Sequence, residues 1–225
     1  MSDRATKLIS APRIIAIAMS ISVVSAAAGS TTDHRKNSAV ESVVIGEQHW
    51  MKSNMAVTRF RNGALIQRVN DASAWTAAGL ARTPAYAVYD NRYAPPANWG
   101  LLYNFAAVTD PRGICPAGWR VPNNRDWQKL EAYLGAGAGA AKALKADRGW
   151  PGNYDGTNVT GFAGLPAGWR TQTGIYYLAN RIAYFWTADL SPDGTVLSHM
   201  LFDEERPIFR IGYNPGMGQS LRCIK

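Results

Sequence analysis

Two cysteines are the residues of this chain most able to do redox or metal chemistry. Cys115 lies in Gly113-Ile114-Cys115-Pro116-Ala117-Gly118-Trp119-Arg120-Val121-Pro122, and Cys223 in Ser220-Leu221-Arg222-Cys223-Ile224-Lys225. As thiols they would serve a catalytic or metal site, but that needs a base or a further ligand, and neither motif supplies one nearby. As a pair behind an export leader they would form a bridge between Cys115 and Cys223. Such a bridge encloses about a hundred residues, for which chain entropy predicts roughly 4–5 kcal/mol. The bridge is the expected reading.

Other reactive side chains are sparse. Asp203-Glu204-Glu205 offers carboxylates, but glycoside hydrolysis needs two held apart across a cleft, and three consecutive acids in a polar loop read as a solvated face. Asn153-Tyr154-Asp155-Gly156-Thr157-Asn158 is rich in oxygen ligands, yet its spacing is not that of a calcium-binding EF-hand loop, and a turn is the better reading. No Gly-x-Ser-x-Gly elbow is present for acyl transfer, and the glycines at 135–139 are not followed by the Lys-Ser/Thr of a phosphate loop. The expectation is no catalysis, no cofactor and no metal.

The N-terminal residues bear on compartment. Arg4, Lys7 and Arg13 precede an apolar run over 14–24, and Ala26-Ala27-Ala28 offers small residues for cleavage, so residues 1–28 read as a secretory signal. The run is short for a bilayer span, which favours cleavage over an uncleaved anchor, and no stable membrane insertion is expected afterwards. Residues 29–42 read as a flexible lead-in, and 43–225 as one domain with enough chain for a sizeable core. The formal charge of +8 falls to about +6 without the leader, which carries three basic residues and one acidic. The arginines are scattered and form no basic helix face, so nucleic acid is not an expected partner.

The elements follow from local pattern. Two short strands meet at Gly46-Glu47, with Trp50 and Met51 inward. Alternation over 54–60 ends at Asn62-Gly63, a hairpin signal, with Leu65 and Ile66 on the return strand. Asn70-Asp71-Ala72-Ser73 caps a short helix that carries Trp75 and ends at Gly79. A strand follows over 84–89, and 100–108 is an apolar run that packs centrally. Asn123 caps a helix with Asp126 in its first turn and Trp127, Leu130, Tyr133 and Leu134 at helical spacing. A weaker helix spans 136–145, where Gly137 and Gly139 lower helix propensity. Strands then run over 175–178, 182–188, 196–202, 207–213 and 219–225, with a turn at Ser191-Pro192-Asp193-Gly194-Thr195. Pro-Ala-Gly-Trp-Arg occurs twice, at 116–120 and 166–170, where a turn precedes an anchoring tryptophan. Many short strands with two central helices give the fold class α+β.

Several blocks in order resemble the Fibrobacter succinogenes major paralogous domain. They are Ile45-Gly46-Glu47-Gln48-His49-Trp50-Met51 with Asn54, Gly100-Leu101-Leu102-Tyr103-Asn104, and Cys115-Pro116-Ala117-Gly118-Trp119-Arg120-Val121-Pro122 with Trp127. Asn158, Gly161-Phe162, Leu165-Pro166-Ala167-Gly168-Trp169-Arg170, Trp186 and Leu221-Arg222-Cys223 complete the set. The resemblance covers 43–225. It implies a C-type-lectin-like compact domain, similar also to the fold of the formylglycine-generating enzyme, in secreted or surface proteins and with no settled activity. Family members often carry a cysteine where this chain has Ala87 and Val88.

The formylglycine-generating enzyme holds copper with two neighbouring cysteines, whereas Cys223 has no such neighbour. A related class holds iron with three histidines. Here the histidines are His34, His49 and His199, and a three-ligand site is not expected. The acidic-Pro-amide and Trp-Asn-Asp elements of calcium lectins are missing as well. The resulting expectation is an exported, non-catalytic, lectin-like binding or interaction module of the bacterial cell envelope, periplasmic, secreted or at the surface. Its ligand is a glycan or an envelope protein, gripped by Tyr176, Tyr177, Arg210, Tyr213 and Asn214. The rival readings are a divergent metal-dependent oxidase related to the formylglycine-generating enzyme, and a structural envelope protein.

Overall fold

The two larger of three hydrophobic clusters lie on opposite faces of a three-stranded antiparallel sheet, and a smaller third gathers around Trp75. The computed structural model describes residues 40–92 and 98–225. The expected leader (1–28) and most of the lead-in, up to residue 39, lie outside the described residues, as does His34. In chain order the elements are β1 (Ser42–Ile45), β2 (Gln48–Met51), β3 (Gln67–Arg68), α1 (Ala72–Leu80), β4 (Ala85–Ala87), a 3-10 turn (Tyr89–Asn91), β5 (Leu102–Tyr103), α2 (Phe105–Val108), α3 (Asn124–Tyr133), α4 (Gly137–Leu144), β6 (Trp169–Arg170), β7 (Tyr176–Tyr177), β8 (Ile182–Leu190), β9 (Val196–Phe202) and β10 (Phe209–Tyr213). The fold class is α+β. The two expected central helices are α3 and α4, the predicted Trp75 helix is α1, and α2 is additional.

The main sheet has the order β10-β9-β8, and three smaller sheets surround it: β1-β2, β3-β4-β5 and β6-β7. All pairings are antiparallel except β3 with β4. Because side chains alternate along a strand, β8 sends Trp186 into one core cluster and Ala183 and Phe185 into the other. Strand β2 divides likewise: Trp50 joins the second cluster and Met51 the first, so both face inward as expected but in opposite directions.

Local rules account for the helix ends. The Asn123 side chain accepts from Asp126 N at 2.9 Å while the Asp126 carboxylate accepts from Asn123 N at 2.7 Å, a complete capping box. Arg120 donates two bonds to the same carboxylate, at 2.6 and 2.8 Å. Despite the cost of its partial burial, these contacts hold the Asp126 carboxyl below its ordinary range. Asp71 caps α1 by accepting from Ala74 N. Gly79 does not end that helix; it sits inside it, where a Cβ would come 3.1 Å from Gly216 Cα. The turn falls instead on Arg82, with φ of 52°. The hairpin expected around Asn62-Gly63 forms in short form: Arg59 bridges Leu65, Phe60 N donates to Ala64 O and Ile66 N to Thr58 O. Tyr133, expected on the apolar face of α3, is 65% exposed.

The bridge between Cys115 and Cys223 is formed, with Cα atoms 5.9 Å apart and both residues buried in the first cluster. The segment from Gln219 to Ile224 is no regular strand. It threads between elements, bridging Tyr103, Phe185, Trp50 and Arg120. Arg222 lies at its centre, 1% exposed. Its guanidinium donates to Asn54 Oδ1 and Met51 O, and to the carbonyls of Phe162 and Ala163, and it stacks 4.1 Å from the centre of the Phe162 ring. Arg170 is built the same way. It is fully buried, donates to the carbonyls of Val69, Asn70 and Gly174, and stacks on Trp75 and Tyr176. Both guanidiniums are solvated by carbonyl dipoles and ring faces, with no carboxylate in ion-pair contact among the described residues.

His199, on β9, is fully buried and stacks on Trp127 with centroids 4.7 Å apart and planes 7° from parallel. Nε2 lies 3.2 Å from Asn124 Oδ1, and Nδ1 lies 3.5 Å from Glu131 Oε1. Desolvation pushes its pKa below the ordinary 6.5, only partly opposed by Glu131, while Arg210 across the sheet lowers it and Asp189 raises it. The folded state therefore prefers the neutral ring, whereas the unfolded chain takes up a proton as pH falls through 6.5. Stability attributable to His199 is full above pH 6.5 and is lost as pH falls toward the folded pKa. Urea titrations between pH 5 and 7.5 are expected to show this slope, and the slope should vanish in His199→Gln.

Candidate functional site

The five sequence-predicted binding residues are distributed by the pairing of two short elements. In the β6-β7 hairpin Trp169 stands opposite Tyr177 and Arg170 opposite Tyr176, so the two tyrosines occupy opposite faces. Tyr176 turns toward the interior, against Arg170 and 5.2 Å from Tyr89, and its hydroxyl donates to Asn91 Oδ1 at 2.7 Å. Tyr177 turns outward and is 46% exposed, its ring 6.1 Å from Trp169. The hairpin can lie this close because Gly168 has φ of 66°, and a Cβ there would come 2.5 Å from Tyr177 O.

Tyr213 arrives from β10. Its ring lies 5.7 Å from Trp169 and 5.8 Å from Tyr184, and its hydroxyl donates to Met200 Sδ. Trp169 thus joins Tyr177, Tyr184 and Tyr213 into one aromatic cluster. Burial holds the Tyr184 and Tyr213 phenols above their ordinary range, so both stay protonated across physiological pH. Arg210 pairs in register with His199 and stands on the other face of the sheet. Asn214 is a turn residue, its Oδ1 accepting from Gly216 N. Tyr177 and Tyr213 are therefore brought together, while Tyr176, Arg210 and Asn214 stand apart from them.

Sequence reading missed Trp169, Tyr184, Phe209 and Ile211. On β10 Phe209, Ile211 and Tyr213 alternate onto one face, and that period of two was the available signal. Phe209 and Ile211 are 45% and 44% exposed. Ile175 and Leu178 flank Tyr177 and are exposed as well. On the outer side of β10 no strand pairs with it among the described residues. The surface is therefore an apolar, aromatic face beside an open sheet edge.

The acidic and oxygen-rich segments singled out in the sequence are occupied by local partners. Asp155 accepts from Trp150 N and Asn158 from Ala163 N, so the oxygen-rich 153–158 segment spends both side chains on its own turns. Asp203, Glu204 and Glu205 pair with Arg181, Arg206 and Lys142. His49 is exposed on β2, far in register from His199 on β9. Among the described residues no three His, Cys, Asp or Glu gather to hold a metal ion, and no helix is long and apolar enough to cross a membrane.

The Fibrobacter succinogenes major domain matches residues 43–225. The chain belongs to this family. No curated protein and no solved structure matches it. The blocks that carry the Fibrobacter domain's likeness are framework: Asn54, Phe162 and Arg222 form one buried hub, Trp50 and Trp127 pack at a tilt with ring centroids 5.1 Å apart, and Arg170 ties the β6-β7 hairpin to Val69 and Asn70. Trp169 alone among them reaches the aromatic surface. In this member of the family the exposed rings are supplied by segments outside those blocks.

Proposed function

We propose that this Fibrobacter-domain protein is an exported, non-catalytic interaction module of the bacterial envelope, built on a C-type-lectin-like scaffold, and that its ligand is a protein. The observation that carries this is the Tyr177–Trp169–Tyr213 cluster together with the exposed Ile211 and Phe209 on the same face of β10, beside its unpaired edge. Large exposed apolar faces mark protein contacts, and an open strand edge offers backbone hydrogen bonds to an added strand. Aromatic anchors contribute area at low entropy cost. The 108-residue covalent loop supports an oxidising compartment. A glycan ligand is the second reading, favoured by the tilted pair of Tyr177 and Trp169, whose ring faces suit the C–H face of a sugar.

A photo-reactive residue placed at Tyr177 or Ile211 in the native host tests this, with Tyr133 on α3 as the exposed control. Protein adducts of discrete mass at the first two positions and not at the third support the reading. Equal labelling at all three positions, or none, overturns it. Tyr177→Ala is expected to cost the complex roughly 2 kcal/mol while leaving thermal unfolding unchanged. Retention on a glycan array that Tyr177→Ala abolishes would favour the second reading instead.

A further inference from the structure

A second recess lies apart from the aromatic face, between the end of α1, α2 and the 191–195 turn. Its volume is about 380 Å³, within the range of roughly 300–1,000 Å³ typical of small-molecule sites. Pro84, Phe105, Ala106, Pro111, Leu190 and Pro215 line it. The three prolines contribute rigid walls without N–H donors. Its floor is firm, because Phe105 packs 5.9 Å from the buried Trp186.

The polar groups on its wall are nearly all committed. Asn104 Oδ1 accepts from Ala85 N and Ala107 N, and its Nδ2 donates to Thr83 O. Thr109 donates to Phe105 O. Asp110 accepts two bonds from the Arg112 guanidinium, at 2.7 and 2.8 Å, and one from Arg112 N. These contacts hold its carboxyl below the ordinary range. Arg82 is the remaining charged group on the wall, exposed and with no side-chain hydrogen bond or ion pair among the described residues.

Arg82 also occupies an unusual backbone position. Thr83 N donates to Ala78 O to close the end of α1, and the residue inside that closure takes φ of 52°. Glycine fills such a position without steric cost, and it is the usual occupant. A left-handed arginine at the rim of an apolar recess is strain held at a place where a charge is useful.

We propose that this recess binds a small monocarboxylic acid with an apolar body, its carboxylate paired to the Arg82 fork and its hydrocarbon or aromatic part against Phe105, Ala106 and the prolines. A guanidinium matches a carboxylate through two parallel N–H bonds. A monoanion fits better than a phosphate dianion, because the Asp110–Arg112 pair leaves one net positive charge at the site. The ligand binds as its unesterified carboxylate.

The test uses the oxidised mature chain with benzoate, 3-phenylpropionate and octanoate, compared with benzamide, 3-phenylpropionamide and 2-phenylethylamine. Amide chemical shifts and calorimetry are the readouts. The acids are expected to move the amides of Gly79, Ala106 and Gly194 and to bind at least tenfold more tightly than the neutral amides, with the preference shrinking at high salt. Arg82→Gly removes the guanidinium and relieves the backbone, so it should raise the thermal midpoint of the free protein while abolishing the preference for acids. Arg82→Lys should restore part of it. Equal binding of acid and amide overturns the proposal, as do shifts mapping elsewhere, no binding by any acid, or a preference that survives in Arg82→Gly.

Discussion

Replacing Cys115 and Cys223 together with serine is expected to lower stability by roughly 4–5 kcal/mol on the chain-entropy account of a loop this long. The bridge spans a sequence separation of 108. Against a typical domain stability of about 5–15 kcal/mol, that loss leaves a marginal fold. Urea unfolding of the oxidised wild type and the double serine variant measures it. Because both sulfurs are buried, a reductant should act slowly in buffer and rapidly once urea opens the domain. A midpoint unchanged by the double substitution would show that the loop is held by packing alone.

Arg222→Met is expected to cost a comparable amount, about 3–5 kcal/mol. The side chain is nearly isosteric along its stem, so little volume is lost. What remains is a set of buried acceptors, Asn54 Oδ1 and the carbonyls of Met51, Phe162 and Ala163, with no donor. Each orphaned acceptor costs about 1–3 kcal/mol, partly relieved by relaxation or an entering water. Arg222→Lys should not rescue the protein, since one ammonium cannot reach acceptors arranged for a planar fork. Calorimetric unfolding of the two variants decides the point: a loss under about 1 kcal/mol in either would mean that the hub is dispensable.

Local chemistry explains which parts of the fold were legible. The Gly46 turn between β1 and β2, the Asn123 and Asp126 capping box, the 191–195 turn and the bridge all rest on neighbours in sequence or on a unique pair, and all are present. The strand expected over 54–60 failed for a non-local reason. Met55 gives its N–H to Leu221 and its carbonyl accepts from Leu101, so partners far along the chain take the start of this segment and confine the local hairpin to 58–66. Gly79 misled because its small size serves the approach of Gly216 rather than a helix stop. The repeated Pro-Ala-Gly-Trp-Arg conceals opposite fates: Arg120 is exposed in an ion pair with Asp126, while Arg170 is buried on carbonyls. Of the candidate site, Tyr177 and Tyr213 were readable as C-terminal aromatics. Their meeting depends on Trp169, which sequence reading had assigned to the core.

The threaded segment holding residues 219–224 also sets an order of assembly. Hydrogen bonds from Arg222 join residues 168 and 171 positions apart, and the same segment spans Trp50, Tyr103, Arg120 and Phe185. None of these layers can close on a nascent polypeptide until residue 224 has left the ribosome. Such distant closures make for slow, late folding, because the loop entropy must be paid before the contacts form.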